Sequence, residues 1–207
     1  HDRAQLILSV VGVAVGVAVV LSIDLATRSA RTVFRISAET VSGRATHQIS
    51  NEVGGIDERL LARLRNELGL RASAPVVEGF AASALLPGQA LRILGIDPFS
   101  EGPFRPYVVG GPAAVDVGAF VTTPGGVVLS AVTAGRAGVA PGDSLPILVA
   151  GRSWSLPVVG TVQPTDELTR AGLTDVLLMD ISGAQYVLDF GGKLTRIDLL
   201  VPESADS

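Results

Sequence analysis

The sequence predicts an α+β fold, in which an N-terminal apolar helix and stalk precede a βαβ-containing domain with an inserted, smaller β-rich lobe. Three observations support this class. Residues 6–23 form an apolar run without charge or proline. Strand–helix–strand patterns occur near both ends of the remaining chain, and the stretch between them is rich in glycine, proline and short β-type runs. After one membrane helix, the 207 residues leave enough chain for one domain or two small lobes.

Residues 6–23 predict a transmembrane helix. As a helix this run reaches roughly 27 Å, close to the roughly 30 Å hydrocarbon core of a bilayer. A helix buried in the core of a soluble protein is the alternative, but helices of soluble proteins usually show a polar stripe, and none occurs here before Asp24. A cleaved signal peptide is a further alternative, but Arg28 stands in the best cleavage signal where a small side chain is needed. The run is therefore expected to stay as an anchor.

Gly12 and Gly16 lie within this apolar run in a GxxxG spacing. The spacing permits a second membrane helix to approach closely, and chance also produces it in segments rich in glycine and alanine. We therefore expect Gly12 and Gly16 to pack the membrane helix against another one, with chance occurrence of the spacing as the alternative.

The residues that follow predict a continuous helical stalk. Apolar residues repeat with helical spacing after Asp24, and neither glycine nor proline interrupts them before Gly43. Asp24 and Arg28 form an i,i+4 pair, and Arg31 and Arg35 continue the polar face. A loose linker would be rich in glycine and proline. We therefore expect Asp24, Arg28, Arg31 and Arg35 to belong to a rigid lever.

Two βαβ units are predicted in the remaining chain. The helix of the first unit begins near Asp57, ends before Gly69 and turns its leucines inward, including Leu68. The helix of the second unit is short and is capped by Ser182. The predicted strands of the two units are 45–49 and 75–80, then 176–181 and 195–201.

The stretch between these units predicts a β-rich lobe with one short helix at 131–137. Gly151 and Arg152 predict a hairpin turn between two of its strands. Its predicted strands are 90–95, 126–130, 145–149 and 154–162. The resulting domain boundaries are 1–42 for the membrane helix and stalk, 43–84 for the first half of the βαβ domain, 85–171 for the inserted lobe, and 172–207 for the second half.

Composition excludes several classes of function. Sixteen basic residues against twenty acidic ones argue against a nucleic-acid partner. Cysteine is absent from the sequence, so neither disulfides nor thiolate chemistry are available to it.

Few residues suggest catalysis or metal binding. Residues 142–145 read GDSL, the motif of one group of serine esterases, in which the serine works with a histidine near the end of the chain. The only histidines here are His1 and His47, and no Asp-x-x-His follows Ser144, so no base is positioned to take its proton. A helix-to-strand turn explains the same letters. His47 has no second ligand at metal-binding spacing, and no phosphate-binding fingerprint occurs. We predict no catalytic, metal-binding or cofactor-binding residue.

Several stretches, in their order and spacing, carry a family resemblance. They are GVAVGVAVVLSIDLATRSA, FRISAETVSGRATHQI, APVVEGF followed by LRILGIDP, and VVLSAVTAGRAGVAPGDSLPI leading to LPVVGTV. Together they make nearly all of the chain similar to the first membrane helix and outer core domain of MacB/FtsX/LolC-type ABC transporter permeases.

This resemblance implies a porter-like domain with an inserted lobe on the periplasmic or extracellular side of a bacterial inner membrane. It also implies a permease subunit with further membrane helices, a second permease copy or paralogue, and an ATPase subunit, separate or fused, that binds ATP. Such proteins export or extract substrates, or transmit ATP-driven motion to a periplasmic partner.

Three alternatives remain open from the sequence, one for the orientation and two for the function. Arg28, Arg31 and Arg35 follow the apolar run while only Arg3 precedes it, and the positive-inside rule alone would place the domain in the cytoplasm. A single-pass, membrane-anchored envelope scaffold without an ATPase is the alternative function. An anchored hydrolase that uses Ser144 is the third.

Overall fold

The computed structural model describes Val17 and residues 44–51, 54–109, 116–163 and 167–201. Residues 39–207 form one compact unit. Residues 1–38 form another, in which the structure describes only Val17, with helical backbone and 52% of its surface exposed.

The predicted membrane helix and stalk lie outside the described residues, apart from Val17. Gly12, Gly16 and the predicted lever residues are therefore not described. No helix in the described ranges has both the length and the apolar character that crossing a bilayer requires.

The unit of residues 39–207 is built from strands and short helices. The strands are β1 (His47–Ser50), β2 (Ile56–Asp57), β3 (Ser73–Ala82), β4 (Ala90–Ile96), β5 (Val127–Ser130), β6 (Ser144–Val149), β7 (Arg152–Val162), β8 (Val176–Asp180), β9 (Lys193–Leu194) and β10 (Arg196–Leu199). The helices are α1 (Arg59–Asn66), α2 (Pro106–Val109), α3 (Val117–Thr122), α4 (Ala131–Ala137), α5 (Glu167–Gly172) and α6 (Ile181–Val187). The described residues thus form a mixed α and β fold, as predicted.

One large sheet organises these elements, with the strand order β1-β10-β3-β4-β8-β5-β7-β6. β4 and β8 run parallel, as do β5 and β7, while the other neighbours are antiparallel. Ala82 of β3 also pairs with Leu148 of β6, so the strands from β3 to β6 close on themselves. The short strands β2 and β9 pair separately.

Both predicted βαβ units occur in split form. β1 and β3 each run antiparallel to β10, so they are parallel to each other and β10 lies between them. β8 and β10 are also parallel, with β3 and β4 between them. In each unit the strand, helix and strand follow in the predicted order.

The strands of residues 85–171 lie in the same sheet as those of the flanking segments. β4 lies between β3 and β8, and β5 pairs with β8. The strands on both sides of the predicted boundaries at 84/85 and 171/172 therefore belong to one sheet. The division into porter-like halves and an inserted lobe stays a prediction.

The core lies on both faces of this sheet, because neighbouring residues of a strand point to opposite sides. Val77 and Leu129 belong to the larger apolar cluster, which residues of α1, α4 and α6 complete. Val76 and Val128 belong to the smaller cluster, which residues of α2 and α3 cover. Strands buried on both faces read as continuous apolar runs, as in VLLMD of β8.

Helix ends show where the sequence-based prediction was right and where it was wrong. α4 has its predicted bounds, because Ser130 caps its start and Gly138 ends it with a φ of 67°. α6 begins at Ile181 and its cap is Asp180, which accepts from the Gly183 N–H at 3.1 Å. The prediction of Ser182 as the cap was therefore wrong.

Two further predictions need correction. Leu68 is 67% exposed instead of buried, because α1 ends at Asn66 and Gly69 then reverses the chain with a φ of 68°. The hairpin between β6 and β7 turns at Ala150 and Gly151, one residue earlier than predicted. Both have a positive φ, as a two-residue hairpin of this kind requires.

Candidate functional site: paired terminal strands and a buried ion-pair network

The first and last strands of the described unit lie side by side. β1 pairs antiparallel with β10, so that His47 lies opposite Leu199 and Ser50 opposite Arg196. β10 continues into the large sheet through β3. We call residues 46–50 and 196–201 the terminal ladder. It brings the two ends of the folded unit to one edge of the sheet.

Thr46 fastens the end of this ladder. Its backbone N–H donates to the Leu199 carbonyl at 2.9 Å, and its hydroxyl donates to the same carbonyl at 3.2 Å. The Val201 N–H donates to the Thr46 hydroxyl oxygen at 2.9 Å. Two residues before the ladder, the Arg44 N–H donates to the Phe104 carbonyl at 3.1 Å. The ends are therefore held by several hydrogen bonds beyond the strand pairing.

A buried ion-pair network lies beneath the ladder. Arg105 donates through Nη1 to Oε2 of Glu101 at 2.5 Å and through Nη2 to Oδ2 of Asp198 at 2.7 Å. All three side chains have 0% exposure. Arg196 extends the network, with Nε 2.9 Å from Oδ1 of Asp198 and Nη1 2.6 Å from Oε1 of Glu78. We call these five residues the ion-pair network.

Local geometry places each member of this network. The Phe104 and Arg105 N–H groups donate to the Glu101 carbonyl in a helical turn, which sets the Glu101 and Arg105 side chains on one face. Arg196 and Asp198 are two residues apart in β10, so their side chains share one side of the sheet. The network thus ties β10 to β3 and to the segment that follows β4.

The network is costly to assemble and costly to break. Taking charges out of water has a large penalty, which only close pairing offsets. Burial raises the pKa of Glu101, while the neighbouring Arg105 opposes the rise. Oε1 of Glu101 has no hydrogen-bond partner among the described residues. The network holds three carboxyl groups and two guanidinium groups, so its carboxyl groups outnumber its guanidinium groups by one.

The network holds buried charged groups in close pairs, and it has no nucleophile next to a base. Short, charge-assisted hydrogen bonds connect Asp198 of the terminal ladder to Arg105 and Arg105 to Glu101, and the Arg196–Glu78 ion pair connects the ladder to β3. Removing one partner would leave another charge buried and unpaired.

The structure places the GDSL residues in a turn, as their alternative interpretation predicted. Oδ2 of Asp143 accepts from the Ala140 N–H at 2.8 Å, and the Gly142 N–H donates to the Val158 carbonyl at 2.8 Å. Ser144 follows as the exposed first residue of β6. The sequence GDSL is thus explained by its position in the turn that leads into β6.

His47 is exposed in β1, and its Nδ1 lies 3.1 Å from the Thr46 hydroxyl. Within the described residues, no group of three or more histidine, aspartate or glutamate side chains is placed to hold a metal ion.

Sequence reasoning missed the ion-pair network. Glu101 and Arg105 have the i,i+4 spacing of a helical pair, but they lie in a segment rich in glycine and proline, where charges are usually exposed. Asp198 lies 93 residues further along the chain than Arg105. The i,i+4 spacing was the one available signal, and it gave no indication of burial.

The fold is similar to that of the extracytoplasmic domains of two ABC-type transporters. The structure is similar to the extracellular domain of the noncanonic ABC-type transporter YknZ from Gram-positive bacteria, with a TM-score of 0.51 over 74% of this chain and 77% of that one, at 10% identity. It is also similar to the periplasmic region of MacB from Actinobacillus actinomycetemcomitans, with a TM-score of 0.50 over 82% of this chain and 80% of that one, at 12% identity. At such identities the likeness shows the fold alone.

The sequence itself is similar to an uncharacterized ABC transporter permease protein of Mycobacterium tuberculosis. The two are 37% identical over 201 residues, which is 97% of this chain. The chain spans 23% of the length of that relative. No protein-family model matches the chain. The resemblance to MacB/FtsX/LolC-type ABC transporter permeases that the sequence predicts is confirmed by these comparisons.

Proposed function

We propose that this chain is the first membrane helix and the extracytoplasmic core of an ABC transporter permease subunit. In this role it couples ATP hydrolysis by a partner ATPase to export or extraction of a substrate, or to mechanical signalling across the membrane. The observation that carries the proposal is the terminal ladder, which joins the first and last strands of the core at one edge. The 37% identity to a permease over 97% of the chain supports it.

The proposed assembly follows from this role. It contains an ABC ATPase subunit, which binds ATP, and a second copy or paralogue of the permease. It lies in a bacterial inner membrane, with the core on the periplasmic or extracellular side, where a further protein partner can meet it.

The terminal ladder explains how such a core would receive motion. In a permease the segments before β1 and after β10 lead to membrane helices, so both would act on neighbouring strands. Thr46 and the ion-pair network hold these strands to each other and to β3. A displacement of the membrane helices would therefore turn the core as one body instead of separating its ends.

The segment that precedes the ladder is proposed to act as a lever. Asp24, Arg28, Arg31 and Arg35 lie on its polar face, and it has no internal glycine or proline where a helix would bend. Gly12 and Gly16 are proposed to pack the membrane helix against another.

Purification of the full-length protein from its native membranes tests the proposed function. We expect a nucleotide-binding subunit or domain to purify with it, and the eluate to hydrolyse ATP. A substitution of the catalytic glutamate in that ATPase is the matched control and should abolish the activity. An intact protein that purifies alone, with no ATPase domain of its own, would contradict the proposal in favour of an envelope scaffold.

The lever is tested by breaking the helix in its middle. Replacing Thr32 and Val33 by Gly-Pro should uncouple ATP hydrolysis from the process that deletion of the gene abolishes, because proline removes a helical hydrogen bond and glycine adds freedom. Replacement of the same two residues by Ala-Ala is the control, since alanine preserves the helix. Normal function of an assembled Gly-Pro variant would exclude the lever.

A further inference from the structure

A surface pocket lies on the described unit, apart from the buried ion-pair network. It is a pocket of about 670 Å³ between the β6–β7 hairpin and the end of α6. This volume is within the range of sites that hold small organic ligands. The side chains that line it are Arg152, Ser153, Trp154, Gln185, Tyr186 and Asp189. We call it the aromatic pocket.

Two aromatic rings form the apolar part of this pocket. Trp154 and Tyr186 have ring centroids 5.2 Å apart and an interplanar angle of 73°, so the rings stand nearly perpendicular. Trp154 packs against the larger apolar cluster, whereas Tyr186 is 74% exposed. α6 holds Tyr186 in place, because Gly95 of β4 lets Ala184 of this helix approach the sheet closely. A ring on a fixed helix offers a preformed apolar surface.

The polar part of the pocket is mixed in character and has no net charge. Nη1 of Arg152 lies 4.0 Å from Oδ2 of Asp189, and these side chains are 67% and 90% exposed. Such a pair is weak and can exchange for other partners at little cost. Gln185 donates its amide hydrogens to Glu58 at 3.1 Å and to the Lys193 carbonyl at 3.0 Å, which fixes its orientation.

We propose that the aromatic pocket binds a neutral saccharide. A sugar ring has an apolar C–H face, which fits against the exposed ring of Tyr186. Its hydroxyl groups each donate and accept, so they match a mixed set of donor and acceptor side chains, here Arg152 and Asp189. The absence of net charge at this pair favours an uncharged ligand. The proposal goes beyond the transport function and does not depend on it.

Tryptophan fluorescence tests this site directly. Trp154 is the single tryptophan of the 207 residues. The full-length protein in lipid nanodiscs is titrated to millimolar concentration with neutral hexasaccharides of glucose, galactose, mannose and N-acetylglucosamine. Subtracting the signal of Trp154→Phe removes the contribution of any other tryptophan. We expect a saturable change with at least one of these probes, and calorimetry gives a second readout that needs no tryptophan.

Variants identify the pocket as the binding site. Tyr186→Ala should raise the dissociation constant roughly tenfold, because it removes the stacking surface. Asp189→Asn should also weaken binding, and asparagine tolerates the positive φ of 55° at this position. Phe99→Ala is the matched control, since Phe99 is 80% exposed on the loop after β4, and it should bind as wild type does.

Three results would overturn the proposal. The first is the absence of saturable binding by every hexasaccharide. The second is binding that Tyr186→Ala leaves unchanged in a variant that unfolds at the wild-type temperature. The third is saturable binding of a proline-rich decapeptide alone, which would assign the aromatic rings to peptide recognition.

Discussion

Two of the arginine–aspartate pairs among the described residues lie in opposite environments. Arg105 and Asp198 are 2.7 Å apart with 0% exposure, at the centre of a network that ties the terminal ladder to β3. Arg152 and Asp189 are 4.0 Å apart with 67% and 90% exposure, at the rim of the aromatic pocket. The chemical groups are the same, and their surroundings differ.

This difference teaches what burial does to an ion pair. In the interior, each charge has lost its water and depends on its partners, so the pair holds its geometry. At the surface, water replaces a lost partner and the pair contributes little to stability. The buried pair therefore suits a fixed mechanical connection, and the exposed pair suits an exchange with a ligand.

The largest expected effect comes from breaking the buried pair. Arg105→Met should lower the free energy of unfolding of residues 39–207 by about 3–5 kcal/mol, because Glu101 and Asp198 would stay buried with one partner fewer. Denaturant unfolding followed by circular dichroism measures this change. A loss below about 1 kcal/mol would mean that the network behaves as a surface pair does.

The pH dependence of stability isolates Glu101 within the same network. Burial raises the pKa of Glu101 above its ordinary value of 4.5, so the folded state binds this proton more tightly than the unfolded state does. Its contribution to stability is fully present below that value and is lost as the pH rises toward the pKa of the folded state.

Glu101→Gln should remove this loss. The stability of the variant relative to wild type should therefore increase as the pH rises above about 4.5. Unfolding measured across the acidic range, with the largely exposed Glu67→Gln as control, checks the sign. A relative stability that stays constant or falls over this range would show that the pKa of Glu101 is not raised.

A smaller effect is expected at the end of the terminal ladder. Thr46→Val keeps the shape of the side chain but removes a hydroxyl that donates to Leu199 and accepts from Val201. We expect a loss of about 1 kcal/mol in unfolding free energy and faster hydrogen exchange at Val201. Thr122→Val is the control, since that hydroxyl bonds within α3. Equal exchange at Val201 in both variants would show that the Thr46 hydroxyl does not hold the end of the terminal ladder.

The smallest effect is expected at the exposed pair. Arg152→Met should change the unfolding free energy by no more than about 0.5 kcal/mol, because both charged groups are already solvated. The same substitution at Arg105 is its matched counterpart. Similar losses in the two variants would remove the contrast between the pairs.

Local elements of this fold could be predicted from the sequence, because their signals are local. α4 lies between a serine cap at Ser130 and a left-handed Gly138, and both appear in the sequence as such signals. α6 has two plausible caps two residues apart, and the apolar run before them did not show which one begins the helix. Helices such as α2 and α3 are too short for a periodic pattern to form.

Pairing between distant residues could not be predicted. β1 and β10 are separated by most of the chain. Nothing in the sequence of β1, HQIS, identifies the sequence of β10, RIDL, as its partner. The same holds for Arg105 and Asp198, because charge alone predicts exposure. The order of the strands in the sheet, and the burial of these charges, follow from packing that local sequence does not contain.

Hydrogen–deuterium exchange of the terminal ladder during ATP turnover tests the account most directly. The full-length protein with its ATPase is compared with and without ATP, and exchange is followed at residues 46–50 and 196–201. We predict that these amides stay equally protected, because the ladder moves as one body with the core. A rise in their exchange on addition of ATP, to the level of unpaired strands, would show that the ladder opens and would contradict rigid coupling.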